Sequence, residues 1–102
     1  MDMRKMLKQA QQAQAQMSQM QEDLANETVE ASAGGGMVKA TMTGTQELTA
    51  IKIDPSAVDP DDIELLEDMV LAAVNEASRA AGELANSKMQ SITGGLNLPG
   101  LM

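Results

Sequence analysis

The fold is decided by one glycine-rich, alternating stretch, AGGGMVKATMTG at residues 33–44. The glycines at 34–36 predict a tight reversal, because glycine accepts the positive φ angles that other residues avoid. After them Val38, Ala40 and Met42 alternate with polar residues, which is the period of a strand that buries one face. A phosphate-binding loop is the alternative, but such loops lead into a helix and carry a Gly-Lys-Ser or Gly-Lys-Thr ending that is missing here. The stretch therefore predicts a hairpin turn that runs into a strand.

Alternation on both sides of this stretch predicts two more strands. Residues 29–33 alternate apolar and polar side chains before the glycines, and residues 47–53 do the same after a second turn. Leu48 is out of phase with the rest of its strand, so we expect a bulge near Thr49 or Ala50 that returns it to the core side. Together the three strands predict an antiparallel meander.

A long helix is predicted before the sheet, over residues 1–27. Its apolar positions recur by threes and fours, at Met3, Met6, Ala10, Ala13, Met17, Met20 and Leu24. Such a helix is about 39 Å long at about 1.5 Å per residue, more than a domain of this size covers. Part of it is therefore expected to project.

A second helix is predicted over residues 59–93, after the sheet at 28–53. Asp59 before Pro60 has the form of an N-cap followed by proline at the first helical position. Two glycines at 94 and 95 predict its end, and residues 94–102 are expected to form a flexible tail. The chain is thus predicted as a single α+β domain of order α-β-β-β-α over residues 1–102.

The composition offers few large apolar side chains for a hydrophobic core within a single chain. Fifteen alanines and ten methionines leave only 19 Leu, Ile and Val residues, and there is no aromatic residue. Alanine buries little area and methionine specifies packing weakly. Apolar burial in a monomer would therefore hardly offset the conformational entropy that the chain loses on folding. We therefore expect a homo-oligomer, most simply a twofold dimer. The large apolar side chains that favour its interface are Leu48, Ile51, Ile53, Leu66, Met69 and Val70.

Several functional classes are disfavoured by the residues present. The chain has no His, Cys, Tyr or Trp, which removes the usual general bases and the most reactive nucleophile, so no enzyme activity and no cofactor are predicted. Asp59, Asp61 and Asp62 lack the glycine and the distal glutamate of a calcium loop, and helix capping explains them better than a metal. No apolar run approaches the roughly 18 residues that a membrane helix needs.

Arg4, Lys5 and Lys8 form the one local cluster of basic residues, at the free end of the projecting helix. A solvated helix end explains them on charge alone, and a phosphate-binding tip is the functional alternative. Arg79 and Lys88 are interpreted as structural. Without aromatic stacking platforms, any nucleic-acid contact should be made to duplex phosphates, and the net charge of -8 predicts weak, salt-sensitive binding.

Three longer motifs resemble the YbaB/EbfC family of bacterial nucleoid-associated proteins. They are Gly36-Met37-Val38-Lys39, then Ile51-Lys52-Ile53-Asp54-Pro55, then the block from Asp59-Pro60 through Leu66-Glu67-Asp68 to Ala77. The resemblance implies a tweezer-like homodimer with long helices extending from a shared sheet core. It also implies binding of double-stranded DNA, a role in nucleoid organisation or gene regulation, a cytoplasmic, nucleoid-associated location, and a DNA-repair protein as a further partner.

Two functional hypotheses remain open from the sequence. In the first, a dimer binds duplex DNA through Arg4, Lys5 and Lys8 at the helix tips. In the second, the chain is a protein-interaction scaffold in DNA repair or replication, and the projecting methionine and alanine positions dock a partner helix.

Overall fold

The computed structural model describes residues 2–96 and has the element order α-β-β-β-α. The bounds are α1 at Met3–Asn26, β1 at Thr28–Ala33, β2 at Val38–Thr43, β3 at Leu48–Ile53, a 3-10 turn at Pro55–Ala57, and α2 at Ile63–Leu96. The predicted α+β class and the meander are confirmed. Of the predicted flexible tail, residues 97–102 lie outside the described residues.

Helix α1 is held at its C-terminal end and is otherwise uncovered. The Asp2 side chain caps its start by accepting a hydrogen bond from the Arg4 backbone N–H at 3.0 Å. Only Met20 and Leu24 are buried among its residues. The remaining two thirds of the helix lie beyond the sheet, as the length of the pattern predicted.

The glycine turn and the sheet register follow the predicted pattern. Gly34, Gly35 and Gly36 all have positive φ angles, of 63°, 68° and 92°. The strands pair antiparallel in the order β1-β2-β3. Thr41 pairs with Ala50 and Met42 pairs with Leu48, so Thr49 is the extra residue of a bulge. The predicted bulge is therefore confirmed, and Leu48 shares the face of Met42.

Helix α2 packs across β1 and β2 through small side chains. Val38, Ala40 and Met42 on β2 meet three alanines spaced four residues apart on α2, Ala73, Ala77 and Ala81. Alanines let the helix approach the sheet closely, but they contribute little buried area, and Val38 is the largest fully buried side chain among the described residues.

The predicted bounds of α2 were wrong at both ends. The helix begins at Ile63, where the Asp62 carboxylate accepts from the Leu65 backbone N–H at 3.3 Å. Asp59 instead closes a turn before the helix by accepting from the Asp61 N–H at 2.9 Å, because an aspartate side chain satisfies a turn as readily as a helix end. The helix also continues through the glycines at 94 and 95 to Leu96, since glycine costs only about 1 kcal/mol in a helix.

The molecule is elongated. Its radius of gyration is 19.9 Å and it measures 71 × 26 × 15 Å. A compact domain of this length has a radius of gyration of about 13 Å. The extended shape leaves a large share of the apolar side chains without cover.

Candidate nucleic-acid interface

The projecting part of α1, residues 3–19, is here called the arm, and its charge differs from that of the rest of the chain. It carries Arg4, Lys5 and Lys8 and no acidic residue, and the one acidic residue before it is Asp2. Fourteen acidic and four basic residues follow from residue 22 onward. The arm is therefore a positive element attached to a strongly negative body.

The three basic side chains of the arm are exposed and lie within its first two turns. Arg4 and Lys8 are four residues apart and share a helix face, and Lys5 stands beside them. None of the three forms an ion pair with a described side chain. The positive end of the helix dipole lies at the same tip, so it adds to their attraction for an anion.

The arm is attached to the body at Leu24 and Gly44. Leu24 is 4% exposed, and the Gly44 N–H donates to the Leu24 carbonyl at 2.9 Å and to the Glu27 carbonyl at 3.0 Å. A Cβ on Gly44 would stand 2.8 Å from the Leu24 carbonyl oxygen, closer than van der Waals contact allows. The close approach of α1 to the end of β2 therefore requires glycine.

Two of the remaining basic residues are engaged in ion pairs. Arg79 pairs with Glu76, and its Nη1 lies 2.8 Å from Glu83 Oε1. The hydrogen bond and charge of Arg79 lower the pKa of Glu76, and Glu76 in turn raises the pKa of Arg79. Lys88 Nζ lies 3.2 Å from Glu27 Oε2 and links α2 to the end of α1.

Lys39 and Lys52 are the basic residues that the sequence reasoning did not single out. Both are exposed on the face of the sheet opposite α2, and they are Cα partners across β2 and β3. Strand alternation was the signal for their outward position. Their pairing depends on the register, which is displaced at the Thr49 bulge and was not counted from the sequence.

An apolar row on β3 is left uncovered by α2. Leu48, Ile51 and Ile53 are 42%, 38% and 40% exposed, and they face the same side as the buried β2 residues they pair with. The other three residues of the predicted interface, Leu66, Met69 and Val70, are half-buried against the core. The structure thus places three of the six residues on β3, open to solvent, and the other three half-buried on α2.

The methionines of the arm also remain uncovered for most of its length. Met3, Met6 and Met17 are exposed large apolar side chains, whereas Met20 is buried at the attachment. Only the first three are therefore available to a partner.

Neither a metal site nor a membrane span is seen in the described part of the chain. Residues 2–96 contain no group of three or more His, Cys, Asp or Glu side chains placed to hold a metal ion. The helices described there include none long and apolar enough to cross a bilayer. Asp62 accepts from a backbone N–H in the first turn of α2, as predicted for a capping residue of this cluster, whereas Asp59, the predicted N-cap, accepts in the turn before the helix.

Comparison with known proteins gives consistent matches over almost the whole chain. The model of the YbaB/EbfC DNA-binding family matches residues 1–96. A nucleoid-associated protein of Thermoanaerobacter pseudethanolicus is 60% identical over 96 residues, covering 94% of this chain and 86% of that protein. One of Moorella thermoacetica is 57% identical over 99 residues, covering 97% and 95%. The crystal structure of an uncharacterized Helicobacter pylori protein has the same fold, with a TM-score of 0.80 at 24% identity, covering 91% of this chain and 98% of that one.

Proposed function

The chain belongs to the YbaB/EbfC DNA-binding family, and from this membership we infer that it is a homodimer that binds the backbone of duplex DNA through the tips of its two arms. Its relatives are named nucleoid-associated proteins, which supports a nucleoid location and a role in nucleoid organisation or gene regulation. The family is a DNA-binding one and not an enzyme family.

The observation that carries this proposal is the unpaired, positive tip of an otherwise acidic chain. Arg4, Lys5 and Lys8 are exposed on a helix that meets the body only at its far end. The separation keeps the tip away from the body's negative charge, since exposed charges more than about 10 Å apart are largely screened at ordinary salt. An acidic protein can in this way present a basic surface to DNA.

Binding at such a tip depends on counterion release. Each phosphate neutralised by a basic side chain contributes about -0.9 to the slope of log K against log salt. Six side chains in a dimer therefore give a slope of about -5 and binding that weakens steeply between about 50 and 200 mM salt. Phosphate contacts carry no base information, so the proposed binding has little sequence preference.

The homodimer is supported by the uncovered apolar row on β3. Leu48, Ile51 and Ile53 form one strip at the edge of the sheet, and the half-buried α2 residues Leu66, Met69 and Val70 extend the same apolar surface. A second copy related by a twofold axis would present the same strip, and the two strips would cover each other. The small core and the elongated shape support the same assembly.

The test compares two charge-neutralising variants in a DNA-binding titration. Arg4→Gln/Lys5→Gln/Lys8→Gln should abolish most binding of a labelled duplex at about 50 mM salt and flatten the salt slope. Arg79→Gln/Lys88→Gln, which removes basic residues already held in ion pairs, is the matched control and should bind nearly as the parent does. Salt-independent binding, or an unchanged affinity in the triple variant, would contradict the proposal.

A protein-interaction scaffold is the second candidate, and the exposure of Met3, Met6 and Met17 is the observation that favours it. Replacing all three by glutamine keeps the charge and the helix propensity of the arm. If DNA is the ligand, this variant retains full DNA binding. Loss of a partner protein in the methionine variant, with no DNA binding by the parent at low salt, would favour the scaffold.

A further inference from the structure

Two lysines face each other on the outer side of the sheet. Lys39 on β2 and Lys52 on β3 are direct Cα partners, and their neighbours in the strands, Val38 and Ala40 on β2, point to the other face and are buried. Directly opposite side chains on one face of an antiparallel pair stand about 4.5–5.5 Å apart at Cβ. The register therefore places the two lysine side chains next to each other on the outer face of the sheet.

Two acidic side chains lie near the pair without forming an ion pair with it in the described part of the chain. Neither lysine forms an ion pair, and the nearest acidic residues by register are Glu30, diagonal to Lys39 on β1, and Asp54, which follows β3. Asp54 Oδ1 already accepts from the Ser56 N–H at 2.9 Å and from Ser56 Oγ at 2.8 Å. Like charges placed directly opposite each other destabilise a sheet, so the arrangement costs stability in the absence of an anion.

A third polar group extends the pair into a row across the sheet. Ser32 on β1 is the Cα partner of Lys39, and its side chain is exposed on the same face. The row therefore presents one hydroxyl and two ammonium groups across three strands about 4.8 Å apart. Ammonium and hydroxyl groups both donate hydrogen bonds to phosphate oxygens, which is the chemistry of a contact to the DNA backbone.

We propose that Lys39 and Lys52 form a second contact for the phosphates of duplex DNA, on the outer face of the sheet and separate from the tip of the arm. The inference rests on the proposed DNA-binding function and adds a surface to it. Strand alternation places the pair opposite the apolar row of β3, so the proposed dimer interface leaves it accessible. The pair also lies toward the glycine turn, the end of the sheet away from the attachment of α1, which makes it a distinct site.

Duplex-binding titrations over a range of salt test the site. Lys39→Gln/Lys52→Gln should reduce the magnitude of the salt slope by about 1.8 for each protomer in contact and lower the affinity at about 50 mM salt, because two phosphate contacts are lost. Arg79→Gln/Lys88→Gln changes the charge equally and should leave the slope near that of the parent. Lys39→Arg/Lys52→Arg keeps both charges and should bind as the parent does.

The outcomes separate this inference from the function on which it rests. If the Arg4, Lys5 and Lys8 variant loses binding while Lys39→Gln/Lys52→Gln has the slope of the parent, the second contact is overturned and the function stands. If the parent does not bind duplex DNA at low salt, both are overturned.

Thermal unfolding at low salt gives a readout that is independent of affinity. Without DNA, Lys39→Gln/Lys52→Gln should melt at a higher temperature than the parent, because the repulsion is removed. Saturating duplex DNA should raise the melting temperature of the parent more than that of the variant. An equal shift in both proteins would contradict a contact at this pair.

Discussion

Gly44 is the residue at which the backbone alone decides the geometry of the arm. Its N–H donates to two carbonyls at the end of α1, and there is no room for a Cβ against the Leu24 carbonyl oxygen. Gly44→Ala should destabilise the protein by about 1–3 kcal/mol, as overpacking does, because backbone atoms cannot rotate away. Denaturant unfolding measures the loss. Gly82→Ala is the control, because φ is not positive there and a Cβ would come no closer than 3.7 Å to another side chain, so it should not destabilise the protein.

Asp54 gives a second prediction at the scale of a single residue. The Ser56 backbone N–H, and after it the Ser56 hydroxyl, lower the pKa of the Asp54 carboxyl. Because the folded pKa lies below that of the unfolded chain, its contribution to stability is present above about pH 4 and is lost as the pH falls through the folded pKa. Ser56→Ala should raise the pKa of Asp54 part of the way back, since the backbone bond remains. A carboxyl titration by NMR measures it, and an unchanged pKa would contradict the role of the hydroxyl.

At the scale of elements, Leu24 is the more deeply buried of the two α1 side chains that attach the helix to the body. Leu24→Ala should cost about 2–5 kcal/mol, the usual range for a buried leucine, and should free the arm from the body. Leu7 lies on the same helix but is 62% exposed, so Leu7→Ala should change stability by no more than about 0.5 kcal/mol. Hydrogen exchange at the amides of residues 20–27 reports the release. Equal effects of the two substitutions would contradict attachment at Leu24.

The sheet was more predictable from the sequence than the ends of α2. The side-chain period of a strand is strictly two. Alternation in residues 33–44 therefore predicts the strands of the meander, and the out-of-phase Leu48 predicts the bulge. The start of α2 was missed because Asp54, Asp59 and Asp62 are all able to cap a turn or a helix, and only tertiary packing selects Asp62. Prediction of the Lys39–Lys52 pair requires the register between β2 and β3, and no local sequence pattern contains that register.

For the whole molecule, a shared core predicts that stability depends on protein concentration. If the β3 row is buried between two copies, the thermal midpoint should rise with concentration, because association stabilises only the folded chains. Ile51→Asp should remove that dependence and give a monomer by light scattering. Ala50→Asp places the same charge on the opposite face of the same strand and should remain dimeric. A concentration-independent midpoint in the parent would contradict the dimer.

The single attachment of α1 makes the arm a lever. From Leu24 to Lys5 the helix spans about 28 Å, so a rotation of about 10° at the attachment moves the basic tip by about 5 Å. In the proposed dimer, two rigid bodies could therefore change the distance between their basic tips by several ångströms through motion at Leu24 and Gly44 alone. If the proposed dimer binds DNA through its tips, the angular stiffness of that joint would set how wide or how bent a duplex the two tips can span.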